Sequence, residues 1–134
     1  MMDNAIIYAR SAGNSEQQVK RQRKLCRSYL REVGLTEVGF VAEYGHPGRG
    51  LSVVVNAAAS KGATEVIICD LSRLGRTSLV NLKNSNLLEE AGLTIHVAAG
   101  IVSGPVTDDD IRDKMLLFAE TDLNTLYGDD VTER

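Results

Sequence analysis

The chain has 134 residues, of which 43% are apolar and 25% charged, and its formal net charge is −3. This length suits one domain with a continuous core. The apolar runs are only a few residues long and the first residues carry no basic stretch, so we expect neither a transmembrane helix nor a secretory signal, and a cytoplasmic location. Cys26 and Cys69 have no C-x-x-C spacing, so both are predicted to be buried thiols rather than members of a disulfide or zinc framework.

The net charge conceals an uneven distribution along the chain. Residues 1–106 contain 12 Lys/Arg and 9 Asp/Glu, whereas residues 107–134 contain 3 and 9. Phosphate contacts dominate the affinity of proteins for nucleic acids. Any nucleic-acid function must therefore be reconciled with an acidic C-terminal segment.

Hydrophobic patterning predicts alternating strands and helices. The predicted elements are, in chain order, a strand at 5–9, a helix from about 15 to 33, a strand at 37–42, a helix at 51–60, a strand at 66–69, a helix from 77 or 78 to about 91, a strand at 93–98 and a last helix after Thr107. Gly-rich segments at 45–50 and 103–105 are predicted loops. This order indicates a three-layer α/β sandwich with a mostly parallel sheet of four to five strands. We expect one domain at 1–106, with 107–134 as its acidic C-terminal helix.

Two polar clusters follow predicted strands. Tyr8-Ala9-Arg10-Ser11-Ala12-Gly13 follows the first strand, and Asp70-Leu71-Ser72-Arg73-Leu74-Gly75-Arg76 follows the central one. If the two strands are neighbours, three arginines and a serine hydroxyl converge at one edge of the sheet. Arginine makes paired hydrogen bonds to phosphate oxygens. Such a cluster favours phosphodiester transfer through a seryl phosphate.

Each member of these clusters also has a purely structural interpretation. Arg10 alone is typical of a surface arginine, Arg73 and Arg76 could pair with carboxylates, and a hydroxyl after a strand often serves a turn. Six Lys/Arg on the first helix are interpreted as a solvated face, because no aromatic residues interleave to stack bases. His46 and His96 have no second ligand nearby in sequence, so no metal site is predicted.

The clusters resemble the catalytic domain of serine recombinases, the resolvase/invertase family, and are closest in motif to large phage and transposon integrases. That family shows Y-x-R-x-S after its first strand, a Gln followed four residues later by Cys on the first helix, and D-R-L-x-R or D-L-S-R-L-G-R after the central strand. The corresponding residues here are Tyr8-Ala9-Arg10, Gln22 with Cys26, and Asp70-Leu71-Ser72-Arg73-Leu74-Gly75-Arg76. The resemblance covers residues 5 to about 100 and implies a resolvase-like fold.

The resemblance also implies roles for individual residues. Arg10, Arg73 and Arg76 would bind and polarise the scissile phosphate, and Ser11 would be the nucleophile. Supporting roles fall to Tyr8, Gln22, Arg49, Asp70 and Ser72, where Ser72 takes a place often held by Asp and Arg49 is one residue out of the common register.

The nucleophile departs from the family pattern. Counting from Tyr8, the serine should be residue 12, which is alanine. Side chains alternate along a strand, so Ser11 and Arg10 share a face only if the backbone has already turned. Three explanations remain open: Ser11 acts after a shift of one residue, the alanine was introduced by mutation, or the protein is naturally inactive.

These observations give a leading hypothesis and an alternative. The leading hypothesis is a site-specific DNA recombinase module that cleaves and rejoins strands through a seryl phosphate, without cofactor, as a homodimer or higher oligomer. It would need a separate DNA-binding domain or partner, because the last predicted helix is acidic. The alternative is a catalytically inactive, recombinase-like dimerisation or regulatory protein. A flavodoxin-like nucleotide-binding domain is weaker, because no G-x-G-x-x-G loop follows the first strand.

Overall fold

The computed structural model describes residues 3–99 and 104–106. Its elements are β1 (Asn4–Ser11), α1 (Glu16–Val33), β2 (Thr36–Tyr44), α2 (Arg49–Lys61), β3 (Glu65–Ile68), a 3-10 helix (Leu71–Leu74), α3 (Ser78–Glu90), β4 (Thr94–Val97) and β5 (Gly104–Val106). The last predicted helix lies outside the described residues. Within the described ranges, no helix combines the length and apolar character needed to cross a membrane.

The strands form one sheet in the order β2-β1-β3-β4-β5. β1 is paired in parallel with both β2 and β3, and β3 is paired in parallel with β4. The second strand of the chain is therefore added on one side of β1, and the later strands are added on the other side. Open α/β sheets bind ligands at the carboxyl ends of the strands that flank such a reversal. Here those strands are β1 and β3, the two that precede the polar clusters.

Helices cover both faces of the sheet, as a three-layer sandwich requires. Alternate residues of β1 point to opposite faces: Ile6 and Tyr8 pack in a cluster with α2 and α3 residues, whereas Ala5 and Ile7 pack against α1. Both cysteines are buried in the second cluster. The predicted fold class and the predicted burial of the thiols are thus confirmed.

The ends of the helices follow the predicted local signals. Ser15 caps α1 by accepting a hydrogen bond from the Gln18 N–H, and Gly34 ends the helix in the left-handed conformation. Thr77 caps α3 in the same way, through the Val80 N–H. These sites are local in sequence, so they are readable without the tertiary structure.

Two boundaries differ from the predictions in ways that matter. β1 extends to Ser11 rather than ending near Ala9, because its last residues pair with Glu43 and Tyr44 of β2. The segment predicted as a loop around Pro105 instead forms β5, antiparallel to β4. Pro105 is tolerated there because it lies in a strand at the edge of the sheet.

A polar chain of three side chains lies under α1. Tyr29 Oη is 2.7 Å from His96 Nδ1, and His96 Nε2 is 2.9 Å from Glu65 Oε1. Tyr29 and His96 are both buried, and burial, followed by the nearby Glu65 charge, raises the pKa of Tyr29. These contacts join α1 to β3 and β4.

Candidate active site

The two polar clusters meet at the carboxyl edge of the sheet. β1 and β3 are adjacent and parallel, with Ile7 opposite Ile67, so the chain leaves both strands at the same edge. The predicted convergence therefore occurs. The contacts that the individual side chains make there could not be predicted from the sequence.

Arg10 is a buried arginine whose guanidinium is bound to main-chain carbonyls. Its Nε donates to Arg73 O at 3.0 Å, its Nη1 to Gly45 O at 2.7 Å and its Nη2 to Ser72 O at 2.7 Å. The residue is only 2% exposed. Three of the five N–H groups of a guanidinium are thus used to hold two neighbouring loops.

Arg73 returns the contact from the other cluster. Its Nη1 donates to Arg10 O, its Nη2 to Ser72 Oγ at 2.7 Å and its Nε to Asp70 Oδ1 at 3.2 Å. The Asp70 carboxylate also accepts from the Ser72 main-chain N–H at 3.1 Å and so caps the 3-10 helix. The end of β1 and the Asp70–Arg73 turn therefore hold each other through reciprocal arginine-to-carbonyl bonds.

Arg10 lies near the positive charges of two other arginines. Burial lowers the pKa of Arg10, and repulsion from the guanidiniums of Arg73 and, more weakly, Arg76 lowers it further. Arg76 itself is exposed. The structure thus brings all three predicted arginines within electrostatic range, although only Arg10 is fully enclosed.

Gln22 supports the end of β1 from the α1 side. Its Oε1 accepts from the Arg10 N–H at 2.9 Å and its Nε2 donates to Arg10 O at 2.8 Å. The side chain therefore fixes the backbone of the arginine rather than its guanidinium. The sequence pointed to Gln22 through the family pattern, and the structure supplies this physical contact.

Tyr8 and Glu43 connect β1 to the start of α2. Tyr8 Oη donates to Glu43 Oε1 at 2.6 Å, and the Glu43 carboxylate accepts from the N–H groups of Gly48 and Gly50 at 3.0 and 2.9 Å. Burial, followed by the Glu43 carboxylate, raises the pKa of Tyr8, so Tyr8 remains a hydrogen-bond donor. Arg49 lies between those two glycines and is exposed. The role of Glu43 could not be predicted from the sequence.

Ser11 lies at the same edge but on the other face of the sheet from the Arg10 side chain, because β1 is still a strand at both residues. Its Oγ donates to Gln18 Oε1 at 3.2 Å and accepts from the Ser15 N–H at 3.2 Å. The residue is 1% exposed, whereas the neighbouring Ala12 is exposed. The chain turns after Ser11, not before it.

A cavity of about 320 Å³ opens on the α1 face of this edge. It is lined by Gln18, Arg21, Gln22, Leu25, Cys69, Asp70 and Arg73. The hydrogen-bond partner of Ser11, Gln18, is one wall of the cavity, and Arg73 is another. Ser11 therefore lies on the same face of the sheet as the cavity that Arg73 lines, whereas the Arg10 guanidinium lies on the opposite face.

Two asparagines hold the arginine-bearing turn from α3. Asn81 Nδ2 donates to Leu71 O at 2.6 Å and to Gly75 O at 3.0 Å, and Asn84 Nδ2 donates to Leu74 O at 2.6 Å. Gly75 has φ +148°, and a Cβ there would lie 2.7 Å from Val80 Cγ1. Asn81 and Asn84 were missed in the sequence, since asparagines four and seven residues after the helix cap Thr77 carry no distinctive signal.

The fold and the arginine cluster define a small α/β domain with an arginine-rich carboxyl edge. The sequence matches the resolvase N-terminal domain family over residues 5–134, and the chain belongs to that family. The predicted resemblance to serine recombinases is confirmed. No curated protein matches the chain.

Solved structures of serine recombinases share the fold. The C-terminal catalytic domain of ISC1926 TnpA, an IS607-like serine recombinase, is 20% identical over 72% of this chain and 70% of its own, with a TM-score of 0.62. The N-terminal catalytic domain of TP901-1 integrase is 15% identical over 72% and 78%, with a TM-score of 0.61. A resolvase family site-specific recombinase from Streptococcus pneumoniae is 13% identical over 97% and 94%, with a TM-score of 0.69. The chain thus shares the fold of these recombinase domains.

Proposed function

We propose that this module cleaves and rejoins DNA with Ser11 as the nucleophile and a seryl phosphate as the intermediate. The observation that carries the proposal is that Arg73 lines a cavity at the edge where β1 ends in Ser11, with Gln18, the hydrogen-bond partner of Ser11, as another lining residue. Guanidiniums held in place before reaction stabilise charge that develops on a phosphoryl group. The substrate is DNA, and a separate DNA-binding domain or partner brings it to the site.

We propose a different role for each arginine. Arg73 lines the cavity beside Gln18 and Arg21. Its guanidinium is bound to Asp70, Arg10 O and Ser72 Oγ, and its two remaining N–H groups would bind a phosphate on the Ser11 side. Arg76 is exposed and adds positive charge at the same edge. Arg10, bound to three carbonyls, acts as a positioning residue that fixes the turn carrying Arg73.

The chemical step exchanges one phosphodiester for another. Ser11 Oγ forms a bond to phosphorus as one bridging P–O bond of the DNA breaks, and the hydroxyl proton leaves to water while the departing sugar oxygen gains one. The energy of the broken phosphodiester bond is kept in the seryl phosphate, so rejoining needs no nucleotide. To attack, Ser11 must give up its bond to Gln18, an exposed side chain, at a cost of about 1 kcal/mol.

Trapping of a covalent adduct tests the proposal. The full chain, joined to a DNA-binding domain of known site, is incubated with labelled duplex DNA and separated under denaturing conditions. We expect a protein–DNA adduct in the wild type and in Ser15→Ala, and none in Ser11→Ala. An adduct that persists in Ser11→Ala would refute Ser11 as the nucleophile.

A second candidate is a non-catalytic recombinase-like partner. It is favoured by Ala12 at the position where the family pattern has serine and by the burial of Ser11 on the face opposite the Arg10 side chain. This candidate predicts oligomers by sedimentation without any adduct, and an adduct gained by Ala12→Ser. Adduct formation by the wild type would eliminate it.

A further inference from the structure

The outer face of α1 is the most basic surface among the described residues. Of the 12 Lys/Arg in residues 1–106, six lie on this one helix, with two glutamates. Five of them line a groove of about 390 Å³: Lys20, Arg23, Lys24, Arg27 and Arg31. We call these five residues the α1 basic surface.

Part of this surface is fixed by neighbours on β2. Glu37 binds Arg27 Nε at 2.6 Å and Arg23 Nη2 at 3.1 Å. The Arg23 guanidinium also lies 4.2 Å from the centre of the Phe40 ring. Across residues 3–99 and 104–106, Glu37 is the one carboxylate in an ion pair with this surface, and Lys20 and Lys24 are exposed. One carboxylate against five cations leaves a strong positive excess.

The spacing of the cations suits a phosphate backbone. Positions 20, 24, 27 and 31 recur at helical spacing on one face. At about 1.5 Å per residue they extend over about 16 Å, and each DNA strand presents one phosphate per about 3.4 Å of helix axis. The row is therefore as long as about five base-pair steps along the duplex axis, and because the strand winds around that axis it can meet only some of those phosphates.

The surface lies on a different side of α1 from the candidate active site. Arg21 and Gln22 line the cavity that contains Arg73, and successive residues of a helix point about 100° apart. Lys20 and Arg23 line the basic groove instead, on the side of α1 that faces β2, where Arg23 contacts Glu37 and Phe40.

We propose that the α1 basic surface binds the phosphate backbone of duplex DNA outside the site that holds the scissile phosphodiester. This inference rests on the proposed function, because it takes DNA as the substrate. The binding is independent of base sequence, because phosphate contacts carry no sequence information. Two rings lie beside the surface: Phe40, which is covered by Arg23, and Tyr44, which is exposed. An acidic protein fits less well, since protein interfaces place apolar and aromatic residues at their centre and few charges there.

Affinity measured across a salt series tests the proposal with matched variants of the full chain. Lys20→Gln/Lys24→Gln removes two cations from the surface, and Lys61→Gln/Lys83→Gln removes two exposed cations from α2 and α3, on the other face of the sheet. Fluorescence anisotropy with a labelled duplex gives the slope of log K against log salt. The α1 pair is expected to reduce the steepness of the slope by about 1.8 and the affinity at low salt at least ~10-fold, because each lost phosphate contact contributes about 0.9.

The control pair is expected to change affinity by less than about twofold. Equal losses of DNA affinity in the two double variants would mean a general effect of net charge and would overturn the proposal. So would polyglutamate of matched charge that binds the wild type more tightly than DNA does, through the same two lysines, since the partner would then be an acidic protein.

The outcome is separable from that of the proposed function. Anisotropy needs no cleavage, so a salt slope that depends on Lys20 and Lys24 supports the surface even where no covalent adduct forms. An adduct that forms normally with an unchanged slope in Lys20→Gln/Lys24→Gln would refute the surface and leave the proposed chemistry intact.

Discussion

Substitution of Arg10 by methionine separates a structural role of this arginine from a direct role in binding phosphate. The change keeps an unbranched side chain of about the length of the arginine stem and removes all three bonds to the carbonyls of Gly45, Ser72 and Arg73. Each bond from a charged donor contributes about 1.5 kcal/mol or more. Methionine also removes the buried positive charge of Arg10, which burial and the nearby Arg73 guanidinium disfavour. Part of the loss of stability is therefore offset.

We therefore expect Arg10→Met to lower the free energy of unfolding by about 3 kcal/mol. For a domain of this size, that corresponds to a fall in Tm of about 10 °C. Urea denaturation followed by far-UV circular dichroism measures the change. The free energy of unfolding of Arg10→Lys should lie between those of the wild type and Arg10→Met, because a single ammonium cannot reproduce the planar fork that reaches three carbonyls.

The control is Arg49→Met, since Arg49 is exposed and should change stability by less than about 0.5 kcal/mol. A loss below about 1 kcal/mol in Arg10→Met, together with a large loss of DNA affinity, would refute the reasoning. Arg10 would then be a phosphate ligand whose carbonyl bonds contribute little.

Three further substitutions test other parts of the structure. Tyr29→Phe should cost about 1–2 kcal/mol in urea unfolding, because it leaves the buried His96 Nδ1 without its partner. Glu37→Gln should cost about 1 kcal/mol or less at neutral pH, since its two arginine partners are half exposed. Burial acts to raise the pKa of Glu37, but the arginines outweigh it and the pKa is lowered; the stabilisation is therefore present above the unfolded pKa and lost as pH falls through the folded one. Gly75→Ala should cost about 1–3 kcal/mol, whereas Gly13→Ala, with nothing within 4 Å of its added Cβ, should be nearly neutral.

Each of these has an outcome that contradicts it. A Tyr29→Phe protein as stable as the wild type would mean that water replaces the phenol. A stability difference between wild type and Glu37→Gln that grows on acidification would reverse the expected sign. Equal effects at Gly75 and Gly13, measured by thermal unfolding, would show that the positive φ and the close approach of Val80 carry no strain.

Local patterns in the sequence were sufficient for the order of the elements. The apolar runs that became β1 and β3, the caps at Ser15 and Thr77 and the terminator Gly34 all act through neighbours within a few residues. Their physical causes are backbone hydrogen bonding and side-chain periodicity, which do not depend on distant contacts. The family motifs around Arg10 and Arg73 were equally visible.

The details of the candidate site depended on contacts between distant residues. Pairing with Tyr44 of β2 extends β1 through Ser11, and that single added step of strand decides which face the hydroxyl occupies. Glu43, Asn81 and His96 contribute through partners that lie far along the chain or in another element. Propensity carries no information on such partners.

The sequence by itself determined the class of fold, the edge at which chemistry is expected and the absence of a serine at residue 12. Only the tertiary structure decided that the Arg10 guanidinium faces main-chain carbonyls, that Ser11 lies on the Arg73 side and that the basic face of α1 lies beside Glu37 and Phe40 of β2. The physical reason is that periodicity fixes the face of a strand or helix on which a residue lies. The direction and partners of its side chain are set by the packing of that element against the others.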